Sequence, residues 1–169
     1  MDTITAIMQR RSIRKYEPKP VPAEDLKMIL EAGRRAPSGG NSQPWHFVVV
    51  QGDEQKRRLA EACSGQIWMA KAGAIIAGLG KPSANEDGYS VDVAIAMENM
   101  IIAATALGYG TCWIGDFKEA QVKEVLGIPD DLPIVALTPV GVPAEQPDAR
   151  PRMAITDFAS AERYGTPME

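Results

Sequence analysis

The sequence predicts an α+β chain, and three observations carry that prediction. Apolar residues recur at helical spacing in several charged stretches, three short runs are continuously apolar in the way of buried strands, and Pro, Gly and Asn punctuate the joins between them. A length of 169 residues fits one domain, spanning 1–169. A chain of that size buries roughly two thirds of the surface that its unfolded form exposes.

Asp2 is placed to cap a first helix whose Ile4, Ile7 and Met8 share a face. Pro22, followed by Glu24 and Asp25, opens a second helix in which Leu26, Ile29, Leu30 and Gly33 recur at helical spacing. That helix is expected to end near Arg35, because Ala36 precedes Pro37 and the Ser-Gly-Gly-Asn run at 38–41 favours tight turns. WHFVVVQG (45–52) reads as a buried strand, DEQKRRLAEAC (53–63) as an amphipathic surface helix and AGAIIAGLG (72–80) as a second buried strand. The loop KPSANEDGYSV (81–91) leads into the most apolar helix of the chain, roughly 91–107. Between Val93 and Leu107 its only polar residues are Glu98, Asn99 and Thr105, so it must be covered on nearly all sides, as a core helix or a subunit interface. GYGTCWIGDF (108–117) follows as turn and strand, then a helix over 118–126 and a strand over 134–142. The tail, about 143–169, is rich in Pro, Arg and Ala and reads as extended. It is expected to wrap a partner subunit, which would also help to cover the apolar helix; the alternative is a flexible terminus.

Composition removes several function classes. The net charge is −4 and Lys and Arg are spread along the chain, so no basic face points to nucleic acid. The start MDTITAIMQRR lacks the parts of a signal peptide, and no run reaches the roughly 20 apolar residues of a membrane span. The expectation is a cytoplasmic protein with no membrane partner. Cys63 and Cys112 form no CxxC pair and His46 is the sole histidine, too few ligands for a His/Cys metal site and a poor start for a hydrolytic triad. GLGKPS (78–83) lacks the third glycine of a dinucleotide fingerprint and the Ser or Thr of a P-loop.

Chemistry concentrates in two stretches, RRSIRKY (10–16) and APSGGNSQPWHF (36–47). Arg10, Arg11, Ser12 and Arg14 set three guanidinium forks and a hydroxyl just after a short helix, and two more basic groups return at Arg150 and Arg152. Such a cluster suits a phosphate-bearing ligand. Basic residues in a last helical turn also favour the helix dipole and can simply stay solvated, so both readings stand on these residues alone.

Four motifs in order, RRSIRKY, APSGGNSQPWHF, GYGTCWIGDF and ARPRMAI, resemble those of the nitroreductase family of flavin mononucleotide (FMN) enzymes over essentially the whole chain. The resemblance implies a three-layer α/β/α fold around a mixed, mainly antiparallel sheet, and a homodimer with a swapped C-terminal extension. It implies that Arg10, Arg11 and Ser12, joined by Arg150 and Arg152, hold the phosphate and ribityl end of FMN. Arg14 would lie nearer the isoalloxazine, where a positive charge stabilises the anionic reduced flavin. Pro37, Ser38, Gly39 and Asn41 match the segment that reaches the flavin of the other subunit, and Ile114 and Gly115 match the strand end beside flavin N5, with backbone N–H groups as donors. Trp45 is expected to pack the core rather than touch cofactor; Trp68, Met69 and Tyr89 are either apolar walls of the site or core.

Two departures narrow what the resemblance implies. Longer family members carry a glutamate where this chain has Gly115, and larger ones insert helices where this chain has only the loop around Lys81 to Tyr89, so an open site is expected. The activity implied is hydride transfer from NADH or NADPH through FMN to a flat aromatic acceptor, a nitroaromatic or quinone, by a ping-pong order in which no side chain need act as acid or base. Other tasks in the same family, such as dehalogenation, ene reduction or a biosynthetic dehydrogenation, and a non-catalytic FMN carrier or sensor, are the alternatives.

Overall fold

Four strands form one sheet at the centre of the molecule: β1 (Trp45–Val50), β2 (Ala74–Gly80), β3 (Gly110–Thr111) and β4 (Ile134–Gly141), in the order β1-β2-β4-β3 and antiparallel throughout. The computed structural model describes residues 1–168; Glu169, the last residue of the expected tail, lies outside them. Trp45 pairs with Gly80 and Val50 with Ile75 across β1 and β2, and Ala74 pairs with Val140 across β2 and β4. One parallel bridge, Ser12 to Thr111, adds the segment after the first helix to the sheet edge and makes the sheet mixed.

Helices cover both faces because β2 is apolar on both. Ala74 and Ile76 pack into a core with α2 (Ala23–Arg34) and α4 (Tyr89–Ala106), whereas Ile75, Ala77 and Leu79 point to the other side, against α3 (Asp53–Ala62) and α5 (Glu119–Leu126). That alternation is the period-2 geometry of a strand buried on both sides. Gly78 is required by close approach: a Cβ there would lie 3.1 Å from Val93 Cγ1 and inside the Met97 side chain. The short α1 (Thr3–Gln9) packs on α4, and Asp2 caps it, its carboxylate accepting from Thr5 N–H at 3.1 Å. Trp45 packs against the α2/α4 core and Met69 is fully buried in the opposite one, so both serve packing.

Two sequence expectations change. The strand expected in GYGTCWIGDF shrinks to Gly110–Thr111 plus an isolated Ile114–Leu137 bridge in the same register. That register sets Cys112 opposite Pro139, which has no N–H to donate, so the ladder breaks there. The apolar helix begins at Tyr89, two residues before the expected start, because Asn85 organises its entrance: its Oδ1 accepts from Gly88 N–H at 3.1 Å and its carbonyl from Tyr89 N–H at 3.0 Å. The tail is irregular apart from α6 (Ile155–Phe158) and mostly exposed.

Candidate active site

The arginine segment is held chiefly through its backbone. After α1 closes with Arg10 N–H donating to Ala6 O, the chain runs between β3 and the stretch following β4: Ile13 N–H donates to Thr111 O at 2.8 Å, Glu17 N–H to Val142 O at 2.9 Å and Ala144 N–H to Lys15 O at 2.9 Å. Glu145 closes the other side, accepting from Arg14 N–H at 2.7 Å and Lys15 N–H at 3.1 Å. The Arg10 and Arg14 guanidinium groups are therefore left to face a ligand.

Arg10, Arg11, Ser12, Arg14, Arg150 and Arg152 converge on one cavity of about 180 Å³, joined by Pro147 and Asp148. Five guanidinium groups against one carboxylate make this a strongly cationic hollow in an acidic chain. Among the described residues none of the five is in an ion pair, in contrast to Arg34, Arg35 and Arg57 elsewhere on the surface. Arg11 Nη1 donates to Met8 O and Arg10 O, both at 2.9 Å, while its buried Nε and the nearby buried Thr111 hydroxyl have no partner among the described residues. Buried donors without partners are uncommon and mark a place where a further acceptor belongs. Beneath the cluster, burial pushes the Cys112 thiol above its ordinary value, opposed by the charge of Arg14, the Ser12 hydroxyl and the charge of Arg10.

A second cavity, of about 520 Å³, adjoins the first and shares Arg14. Its walls are Tyr16 and Trp68, whose rings stack with centroids 6.4 Å apart at 20°, together with Ile67, Lys15 and Lys71. Tyr16 is fixed by its hydroxyl, which donates to Ile13 O at 2.8 Å. Its burial raises the phenol's pKa strongly, so it is neutral at ordinary pH.

The other expected site residues lie apart from these cavities. Pro37, Ser38, Gly39 and Asn41 border a tight turn at the entrance to β1, in which Gly40 and Asn41 are left-handed at φ 56° and 58°. Buried Asp92 tethers it, both carboxylate oxygens accepting from Gly39 N–H at 3.3 Å while Asn85 Nδ2 donates to Oδ2 at 2.9 Å. Ile114 N–H is committed to Leu137 O at 2.9 Å, and exposed Gly115 follows it. Tyr89 lies over Gly80 at the far end of β2, lining neither cavity.

The model of the nitroreductase family matches this chain in two overlapping segments, residues 7–89 and 68–142. The chain belongs to the nitroreductase family. A nitroreductase-family relative from Archaeoglobus fulgidus, whose name provisionally assigns it as an NADH dehydrogenase/NAD(P)H nitroreductase, is 33% identical, with 87% of this chain and 88% of that protein covered. The crystal structure of a nitroreductase family protein from Clostridium novyi NT superimposes with a TM-score of 0.81 at 34% identity, over 99% of this chain and 97% of that one. The NADPH:FMN oxidoreductase of Vibrio harveyi, solved with NAD+, superimposes with a TM-score of 0.88 at 27% identity, over 96% of this chain and 77% of that one.

Within this family member, several residues of the site escaped sequence reasoning. Lys15 and Tyr16 lie within RRSIRKY and Asp148 two residues before Arg150, so position along the chain is a signal for them. Glu145 and Lys71 carried none: each reaches the site only because the fold brings distant segments to residues 14–16.

Proposed function

We propose that this protein is a homodimeric FMN-dependent oxidoreductase that passes hydride from NAD(P)H to a flat, electron-poor acceptor, a nitroaromatic or quinone, in ping-pong order. The observation that carries this reading is Arg14, which borders both cavities. A ligand with a phosphate at one end and a flat ring at the other fits two adjoining sites, one lined by unpaired guanidinium groups and one by stacked aromatics. The unpartnered Arg11 Nε supplies an independent test of fit, since a phosphate oxygen is the acceptor that its surroundings lack.

On this reading Arg10, Arg11, Ser12, Arg150 and Arg152 hold the phosphate and ribityl end, and Arg14 sets the charge beside the ring. Bound FMN would supply the redox chemistry, hydride transfer between a reduced nicotinamide and an acceptor. Trp68 and Ile67 form an apolar wall on one side of the ring cavity. Gly115 lines neither cavity, and with the Ile114 N–H engaged this strand end is left without an assigned ring contact. The Gly39–Asn41 turn, remote from both cavities of its own subunit, serves the site of the partner subunit. Exposed apolar side chains support the dimer: Ile4 and Met8 on α1, Val91 on α4, and Ile155 and Phe158 on the tail each leave more than half of their surface to solvent in a single chain.

The purified protein is expected to be yellow, to bleach when NADH or NADPH is added without oxygen, and to recolour on addition of a quinone or nitroaromatic. Colour without bleaching by either nucleotide would point to a flavin carrier. A colourless protein that cannot be reconstituted with FMN would overturn the proposal.

A further inference from the structure

Resting on the oxidoreductase reading above, we infer that the acceptors this enzyme prefers are flat aromatics bearing an anionic substituent, a sulfonate or carboxylate, and that Lys71 is the residue that selects them. The ring cavity is lined by three cations, Arg14, Lys15 and Lys71, and by no carboxylate. In a chain of net charge −4 that is a local inversion of sign. The three are not equivalent. Lys15 Nζ lies 4.0 Å from Glu145, which offsets part of its charge, and Arg14 is shared with the phosphate cavity. Lys71 has no ion pair among the described residues, and the carboxylate of the adjoining hollow, Asp53, is engaged 3.0 Å from Lys56.

Lys71 is also well placed. It ends the 3-10 turn Ile67–Lys71 that carries Trp68, so one short element presents the stacking ring and the cation together. Three residues apart on that turn, Trp68 and Lys71 share a face, so an acceptor ring that enters beside the cofactor ring has the ammonium group at its edge, and a compact charge on a flexible stem tolerates a range of anion positions. Neutral acceptors gain the stacking alone, and anionic ones gain the charge as well.

The reaction balances without further reagents. A naphthoquinone sulfonate takes up two electrons and two protons to become the hydroquinone, with hydride supplying both electrons and one proton and water the second, while NAD(P)H becomes NAD(P)+. The sulfonate itself is unchanged.

The test uses the whole FMN-loaded protein and compares a naphthoquinone sulfonate with the same quinone lacking the sulfonate, each varied at saturating NADH. Because the two quinones differ in intrinsic potential, the readout is the ratio of their kcat/KM values in the native protein against that in Lys71→Glu. One charge at contact distance in a solvated site is worth about 1 kcal/mol, so the ratio is expected to fall roughly 5-fold for each unit of charge removed, more for Lys71→Glu than for Lys71→Gln. The ratio cancels whatever the substitution does to flavin reduction, which both quinones share, and the difference between the proteins should shrink as salt is raised. Equal ratios in all three proteins, with the neutral quinone still turned over, would overturn the inference and leave the oxidoreductase reading intact. No turnover of either quinone by the native protein would overturn both. Measuring NADH and NADPH in the same variants separates the dinucleotide phosphates from the acceptor: loss confined to kcat/KM for the nucleotide would assign Lys71 to the donor and overturn the inference.

Discussion

Arg11 spends one terminal nitrogen on two local carbonyls and leaves Nε buried and unpartnered, so its guanidinium is fixed in place before any ligand arrives. Arg150 and Arg152 are the opposite case, exposed and reaching the same cavity from an irregular tail. Replacing both with Ala is expected to weaken FMN binding about 10- to 100-fold, since charge-assisted hydrogen bonds are worth roughly 1.5–3 kcal/mol each before solvent exposure discounts them. A fluorescence titration at two salt concentrations checks this, and the double variant should also show a shallower salt dependence. Arg14 bears on chemistry rather than retention. Arg14→Ala is expected to keep FMN while flavin reduction by NADH slows about tenfold, equivalent to roughly 1.4 kcal/mol, or the flavin potential falls. Stopped-flow absorbance and a dye-equilibrated redox titration measure the two; if both stay at native values, Arg14 has no role beside the ring.

Single carboxylates tie whole elements together at the far end of the sheet. Asp92, in the first turn of α4, holds the Gly39–Asn41 turn and the Asn85 loop at once. Asp92→Ala strands the Gly39 N–H and the Asn85 amide, a loss of roughly 1–3 kcal/mol that should appear as a lower urea midpoint. Because that turn is proposed to serve the partner's site, the variant should also bind FMN more weakly although every arginine of the phosphate cavity is unchanged; native affinity would detach the turn from the cofactor. How much of this was readable depends on range. Leu26, Ile29 and Gly33 announced α2 by spacing and are all buried, and β1, β2 and β4 lie within their apolar runs. The truncation of β3 was not readable, because it depends on Pro139 arriving opposite Cys112 from 27 residues away. The arginine cluster was legible by residue type, whereas Glu145 gripping Arg14 N–H across a separation of 131 residues was not.

Across the whole molecule, the groups whose protonation couples to folding are unevenly placed. On the acid side Glu31, held down to about 2 by hydrogen bonds from Arg34 and then Arg35, favours folding above its ordinary value of 4.5 and loses that contribution as pH falls toward 2. It is fully exposed, so solvent screens the effect, and Glu98, raised by burial against the pull of Arg10, works in the opposite sense. On the alkaline side the shifts share one sign. Burial, aided by Asp116, pushes the Cys63 thiol from 9.0 to about 12, and burial with the hydrogen bond to Asp25 pushes Tyr109 from 10.0 to about 12; Cys112 and Tyr16 are raised by burial as well. Each raised acid binds its proton more tightly in the folded chain, so its contribution is complete below the unfolded value and is lost as pH climbs through the folded one. The urea midpoint is therefore expected to decline gently below pH 4.5 and steeply between pH 9 and 12. Cys63→Ala removes one of the two thiols, with Cys112, whose loss begins earliest, so its midpoint should be flatter with pH from 9 to 10 than that of the native protein, whatever constant offset the missing sulfur introduces. Parallel curves for the two proteins over that interval would show that Cys63 titrates alike in the folded and unfolded chain, and that burial in this core does not hold its proton.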